Sequence, residues 1–179
     1  MSISKREQKI KKRVQRENNK RKVQKNMKLE KKQQQKRINI VSIKMVRESS
    51  VLYDIRKISS PNDAVGLGKR FLQEEDREKL IVCCLDTKNQ PTAINVVAIG
   101  TLNNSLVHPR EVFKPAILSN SASIILFHNH PSGDTTPSNE DKLITERIKE
   151  SGEILGIKLF DHIIIGNNSY KSFKEEGLI

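Results

Sequence analysis

From residue 38 onward, the hydrophobic residues form short runs that are separated by polar segments rich in turn-forming residues. Short apolar runs with many β-branched residues predict strands, and apolar positions spaced three or four apart predict amphipathic helices. This pattern predicts strands at 38–46, 79–86, 92–100, 123–128 and 157–166, and helices at 61–74, 109–120 and 138–155. Because the two element types alternate, we expect an α/β fold with a central mixed sheet flanked by helices.

Local signals support several of these boundaries. Ser60, followed by Pro61 and Asp63, predicts a capped helix start. Gly156 marks the end of the last helix, and Pro115 predicts an irregularity within the second one. The turn-forming segment "TKNQ" between two strands predicts a hairpin.

The first 37 residues have a different composition from the rest. They contain 16 lysines and arginines and 3 glutamates, a net charge of +13, whereas the remaining residues carry 17 basic and 18 acidic side chains. They include few apolar residues and no aromatic, glycine or proline residue, so we expect a disordered or marginally helical arm. We therefore divide the chain into a basic arm, residues 1–37, and a globular domain, residues 38–179.

A basic arm of this kind can bind nucleic-acid phosphates through counterion release. Without aromatic residues it offers no platform for base stacking, so binding would tolerate any base sequence. A solvated tail without a partner is an equally good interpretation. On the first interpretation, the residues expected to contact phosphates are Lys11, Lys12, Arg13, Arg21, Lys22, Lys31 and Lys32.

Cysteine usage and hydropathy indicate the compartment. Cys83 and Cys84 are adjacent in a predicted strand, where neighbouring side chains face opposite sides, so we expect no disulfide between them. The chain has no apolar run long enough to span a membrane, and no hydrophobic region follows its charged N-terminus. These features favour a cytoplasmic protein in a reducing compartment.

The segment "FHNHPSGDTTPSNED", residues 127–141, contains the candidate chemistry. His128 and His130 are two residues apart at a strand end, so extended backbone places both rings on one face. Asp141, at the start of the next helix, can complete a set of two histidines and one carboxylate, which leaves one tetrahedral position of a catalytic zinc ion open. The alternative is structural, because Ser138 and Asp141 have the spacing of a capping box and "HPSGD" is rich in turn residues.

The arrangement H-x-H, seven further residues, then S-x-x-D resembles the signature of JAMM (MPN+, JAB1-type) metalloproteases, and every specified position is filled. The segments "GTLNNSLVHPREVFKPAILSNSASIILFHNHPSGDTTPSNED" and "LFDHIIIG" resemble the RadC-like JAB family. The resemblance extends over residues 38–179 and implies the layered JAB/MPN, cytidine-deaminase-like fold. Full-length family members carry a helix-hairpin-helix region before this domain, so we expect a short form with the basic arm in its place.

The resemblance implies roles for individual residues. His128, His130 and Asp141 match the ligands of one zinc ion per chain, and Ser138 matches the serine that stabilises the oxyanion. Glu78 matches the distant glutamate that acts as general base, because it directly precedes a predicted buried strand. On charge alone, the alternatives to it are Glu74, Glu75, Asp76 and Glu111.

Three further residues can line the cleft. His108 and Arg110 match the RadC-like pattern, and Glu111 follows them, but packing or capping is an equally good interpretation of these positions. His162 also matches the pattern, yet its place in a buried strand favours a structural histidine.

The predicted function is hydrolysis of an amide or isopeptide bond in a protein or peptide, with a zinc-activated water, a glutamate base and a serine donor. The alternative is a non-catalytic or DNA-associated module that acts in DNA repair or on a mobile element. An HNH nuclease is disfavoured because its residue spacing is absent. A zinc nucleobase deaminase is disfavoured because its P-C-x-x-C segment is absent.

Overall fold

The computed structural model describes residues 3–33, 37–100 and 107–179. Its elements follow one another as α1 (Ile3–Gln33), α2 (Pro61–Leu72), β1 (Lys79–Leu85), β2 (Pro91–Ile99), α3 (Pro109–Leu118), β3 (Ser123–Asn129), α4 (Asn139–Leu155), β4 (Lys158–Ile165) and β5 (Tyr170–Ser172). The three predicted helices are present, and so are four of the five predicted strands. The short β5 is not among the predicted strands.

The five strands form one mixed sheet in the order β2-β1-β3-β4-β5. β1 is antiparallel to both β2 and β3, and its pairing with β2 is the predicted hairpin. β3 and β4 are parallel and are joined by α4, as a parallel pair requires a crossover. The predicted α/β fold is therefore confirmed. The end of β3, the start of β1 and the start of α4 meet at one end of the sheet.

Two apolar layers cover the two faces of the sheet. α2 packs on one face, against side chains such as Phe127. α3 and α4 pack on the other face, against side chains such as Leu126. Cys83 belongs to the first layer and Cys84 to the second, and both are free thiols, as their alternation predicts. Burial raises the pKa of the Cys83 thiol to about 12, so this cysteine is a core residue rather than a nucleophile.

The predicted strand at 38–46 was wrong. These residues have no regular secondary structure, and apolar side chains such as Ile38 and Ile40 are exposed. The alternation of side chains fits a strand, but a strand also needs a neighbour to satisfy its backbone amides and carbonyls. Within the described residues this segment joins no sheet.

In the basic arm, which was expected to be disordered or marginally helical, residues Ile3–Gln33 form the continuous helix α1. Lysine, arginine, glutamine and glutamate all have high helix propensity, and no glycine or proline interrupts them. The side chains of residues 7–28 are all exposed, so α1 buries no face over this range.

The boundary between the two compact units of the chain falls between Ile43 and Lys44. In the described part of the chain, none of the helices has the length and apolar character of a membrane span.

Two glycines of α2 have opposite surroundings. Gly66 is exposed, and a Cβ atom added there would meet nothing within 4 Å. Gly68 faces the sheet, where an added Cβ would lie 2.6 Å from Cδ1 of Phe127 and 2.7 Å from Cδ1 of Ile165. Gly68 therefore permits the close approach of α2 to the sheet, whereas Gly66 only adds backbone entropy to the unfolded chain.

We expect Gly66→Ala to raise the free energy of unfolding by about 0.5–1 kcal/mol, because alanine has the higher helix propensity. Gly68→Ala should lower it by about 1–3 kcal/mol, because the added methyl group overpacks the contact with the sheet. Urea denaturation of the two variants measures both effects. A destabilisation of equal size in both would contradict this assignment of the helix faces.

Candidate metal centre

The candidate ligands come from the end of β3 and the first turn of α4. The amide of His130 donates to the carbonyl of Ile165 at 3.0 Å, so pairing with β4 continues one residue beyond the end of β3. The backbone therefore stays extended, and the rings of His128 and His130 lie on the same face of the sheet. Asp141 lies in the first turn of α4, which packs on that face.

Three ligand atoms converge at this point. Nε2 of His128 lies 2.9 Å from Nε2 of His130 and 3.2 Å from Oδ1 of Asp141. Nε2 of His130 lies 3.5 Å from Oδ2 of Asp141. His128 is 0% and Asp141 2% exposed, whereas His130 borders solvent. The structure thus brings together the three residues that the sequence indicates, and their ligand atoms all lie within 4.8 Å of one another.

The chemistry of this donor set fits a metal cation. His130 Nδ1 donates to the carbonyl oxygen of Asp134 at 2.5 Å, so the neutral ring carries its lone pair on Nε2. Two ring nitrogens and a carboxylate oxygen meet at close range, and only a shared proton or a cation makes this contact favourable. Two imidazoles and one carboxylate are a known ligand set of catalytic zinc, with one position left open.

The capping box, predicted as the structural alternative, is present together with the ligand cluster. The amide and hydroxyl of Ser138 donate to Oδ2 of Asp141 at 2.8 and 2.7 Å, and the amide of Asp141 donates to the serine hydroxyl at 3.1 Å. Burial raises the pKa of Asp141, but its close contacts with the rings of His128 and His130 outweigh burial and hold this pKa well below its ordinary value. The cap therefore orients an ionised carboxylate toward the two histidines.

Glu78 lies at the same end of the sheet. Leu80 pairs with His128 across β1 and β3, so Glu78, two residues before Leu80, is level with His130. The pKa of His130 is raised, first by its hydrogen bond to Asp141 and, more weakly, by the negative charge of Glu78. The structure thus places Glu78 close to the ligand cluster.

Asn129 was missed in the sequence analysis, and it holds the segment that carries Glu78. Its Oδ1 accepts the amide of Lys79 at 2.8 Å, and its Nδ2 donates to the carbonyls of Arg77 at 2.9 Å and Glu75 at 3.4 Å. One buried side chain between the two histidines therefore ties the glutamate segment to the ligand strand. A polar residue at the end of an apolar strand was the available signal.

The residues predicted to line the cleft make local contacts. His108 is the N-cap of α3, and its Nδ1 accepts the amide of Arg110 at 3.2 Å. Glu111 forms an ion pair with Lys114 at 2.5 Å. These contacts fit the capping interpretation. The preceding residues 101–106, which are part of the segment that resembles the RadC-like family, lie outside the described residues.

His162 is buried and hydrogen-bonded, as expected of a structural histidine, but its Nε2 lies 2.8 Å from Nδ1 of the candidate ligand His128. Its Nδ1 lies 2.6 Å from the hydroxyl of Thr145 in α4. Burial, and then the nearby His128, lower the pKa of His162 well below its ordinary value, so the ring is neutral. Thr145 was missed in the sequence, where its only signal is its position one helical turn after Asp141.

The fold and the ligand cluster define a domain of the JAB type. A comparison with protein-family models agrees, because the model of the RadC-like JAB domain matches residues 58–178. The match covers more than half of the chain, so the chain belongs to the RadC-like JAB domain family.

Similar curated proteins carry the name UPF0758. The chain is 53% identical over 124 residues to a UPF0758 protein of Methanosarcina barkeri and 58% identical over 123 residues to one of Clostridium beijerinckii. Each alignment covers 69% of this chain and 54% of the relative. The chain therefore spans about half the length of the curated relatives it matches. Their name states no activity.

We expect the purified chain to bind one zinc ion, and we expect His130→Ala and Asp141→Ala each to lose most of it. Each substitution removes one of the three candidate ligands. Elemental analysis after zinc loading and buffer exchange measures the zinc content per chain.

His108→Ala is the matched control, because it removes a histidine outside the cluster. Asp141→Asn separates metal binding from capping, since the side-chain oxygen of asparagine can still accept the hydrogen bonds from Ser138 but is a weaker metal ligand than a carboxylate. It should retain the fold and lose zinc. Undiminished zinc content in both ligand variants would show that the cluster is only a helix cap.

Proposed function

We propose that this chain is a zinc-dependent hydrolase of amide or isopeptide bonds. The observation that carries the proposal is the convergence of Nε2 of His128, Nε2 of His130 and the carboxylate of Asp141, with Glu78 nearby. Membership of the RadC-like JAB domain family supports it, since the wider JAB superfamily includes metallohydrolases.

The ligand cluster has one accessible side. His128 and Asp141 are buried, and His130 borders solvent, so a substrate would approach past His130. A zinc ion at this site would supply a Lewis acid that polarises the scissile carbonyl and lowers the pKa of a water molecule toward neutrality. Side chains of this chain would supply the general base and the hydrogen-bond donor to the oxyanion.

Glu78 is the proposed general base. Its carboxylate would accept a proton from the attacking water and later donate it to the leaving amine. The backbone around it is well held, because its carbonyl accepts the amide of Gly100 at 2.7 Å and the next amide, of Lys79, donates to Asn129. The side chain is half-buried and is therefore presented to the site from a fixed segment.

Ser138 is the proposed donor to the oxyanion of the tetrahedral intermediate. Its hydroxyl donates to Oδ2 of Asp141 at 2.7 Å, so this role requires the hydroxyl to exchange that bond for one to the substrate oxygen. The two hydrogen bonds that the backbone amides of Ser138 and Asp141 donate in the capping box would hold the start of α4 during the exchange.

We expect Glu78→Gln to retain zinc and to lose hydrolysis by at least about 100-fold, because the amide cannot accept a proton. The probes are two fluorogenic libraries, one of linear peptides and one of peptides branched through a lysine isopeptide bond. Cleavage is measured beside zinc content.

Glu75→Gln is the matched control, since Glu75 is a nearby acid that forms an ion pair with Lys79. It should cleave at the wild-type rate. Wild-type activity in Glu78→Gln would exclude Glu78 as the base. A zinc-loaded wild type that cleaves neither library would contradict the proposed reaction class.

A second observation favours a separate role for α1, and we propose that it binds nucleic acid without sequence preference. α1 carries 14 lysines and arginines against 3 glutamates over 31 residues, a net charge of +11. The side chains of residues 7–28 are exposed, so these charges are available to a polyanion. Among the predicted contacts, the side chains of Lys31 and Lys32 lie outside the described part of the chain.

We expect neutralisation of four arm residues to make DNA binding weaker and less dependent on salt. Each lost phosphate contact reduces the slope of log Kd against log salt concentration by about 0.9, so the expected reduction is about 2–4. Fluorescence anisotropy with a labelled DNA duplex measures the slope. The substitutions to glutamine, which preserve helix propensity, are at Lys11, Lys12, Arg13 and Lys22.

The matched control neutralises four lysines of the unit that begins at Lys44, and its slope should equal that of the wild type. If both variants have the same slope, α1 is not the binding element. The four control positions are Lys142, Lys149, Lys158 and Lys174.

A further inference from the structure

A line of hydrogen bonds connects the main chain of Asp141 to the ring of His128. The hydroxyl of Thr145 donates to the carbonyl oxygen of Asp141 at 2.6 Å and lies 2.6 Å from Nδ1 of His162. Nε2 of His162 in turn lies 2.8 Å from Nδ1 of His128. All four residues are at most 2% exposed, so these groups must satisfy one another.

The first acceptor sets the direction of the whole line. A carbonyl oxygen cannot donate, so the single hydroxyl proton of Thr145 points to Asp141. The threonine oxygen must then accept a proton from Nδ1 of His162. A buried ring whose two nitrogens contact only a hydroxyl and another imidazole carries a single proton, so Nε2 of His162 accepts one from Nδ1 of His128. His128 is left with a lone pair on Nε2, the atom that points into the ligand cluster.

The ring of His162 is also held by packing. Phe173 stacks on it with the ring centroids 4.7 Å apart and the planes 21° from parallel. In the pairing of β4 with β3, Leu159 and Asp161 lie opposite two consecutive residues of β3, so Phe160 between them has no partner. This extra residue reverses the faces of the sheet to which the following side chains of β4 point. His162 therefore lies beside Leu126, on the face covered by α4.

We propose that Thr145 and His162 are positioning residues that keep His128 protonated at Nδ1, so that Nε2 is available to a metal ion. The inference rests on the metal site proposed above, because it states how one ligand of that site is prepared. It also couples two ligands, since the line of hydrogen bonds begins at the backbone of Asp141 and ends at the ring of His128. Hydrogen-bonded partners of this kind orient metal-binding histidines and fix their tautomer.

The first test measures the tautomer of His162 by long-range ¹H–¹⁵N NMR, which is practicable because the chain has only 4 histidines. In the metal-free wild type and in Thr145→Ser, we expect the proton on Nδ1 of His162. In Thr145→Val, we expect a large fraction of the protons to move to Nε2. The Nδ1–H group would otherwise be buried without an acceptor.

The second test measures zinc affinity by competition with a chelator. We expect Thr145→Val to weaken binding by about 10–100-fold, and Thr145→Ser to restore it to near the wild-type value. His162→Gln can still accept from His128 and donate to Thr145, so it should bind zinc more tightly than His162→Leu.

Thr92→Val is the control, because it removes a threonine hydroxyl that donates to the carbonyl of Cys84 within the β1–β2 hairpin. It should change neither measurement, and thermal unfolding checks that every variant is folded. An unchanged His162 tautomer in Thr145→Val would overturn the inference, even if zinc binding weakens, because the loss would then come from packing. A wild type that binds no zinc would refute the proposed function instead, and the metal-free tautomers would still decide the inference.

Discussion

Two imidazole nitrogens and an ionised carboxylate are in contact at a largely buried point of this domain, and the contact is unfavourable without a positive charge between them. The neighbouring structure holds the three groups together in spite of this. His128 and His130 are carried by a strand paired on both sides at His128, and Asp141 is anchored by three hydrogen bonds to Ser138. The fold therefore supplies the free energy that keeps the ligand atoms close.

The start of α4 serves several purposes with few residues. The carboxylate of Asp141 caps the helix and points to the histidines, while its carbonyl oxygen accepts the hydroxyl of Thr145 one turn later. The capping and metal-ligand interpretations of the sequence are therefore compatible, because the cap orients the ligand. Asn129 also makes several contacts with one side chain, because its hydrogen bonds to Lys79 and Arg77 hold the segment before β1 against the end of β3.

Much of the fold could be predicted because its signals are local. The strands β1 and β3 are apolar runs buried on both faces, and the start of α2 has a capping box between Ser60 and Asp63. Segment 38–46 has an equally good strand pattern, but pairing depends on a partner that the local sequence does not contain. The two histidines and Asp141 could also be predicted, because their spacing in the sequence is a local signal. The contact of Thr145 with His162 could not, because it depends on the register of β4.

The skipped residue in β4 has a consequence for how this domain can vary. Phe160 matters there because it adds one residue to the length of the strand. Its half-buried side chain makes no direct contribution to the line of hydrogen bonds. Loss of a single residue there would leave every side chain of the site in the sequence and yet turn His162 to the opposite face of the sheet. In this part of β4, an insertion or deletion would therefore disrupt the site more than most substitutions would. A sequence comparison that only counts identical site residues would not detect this change.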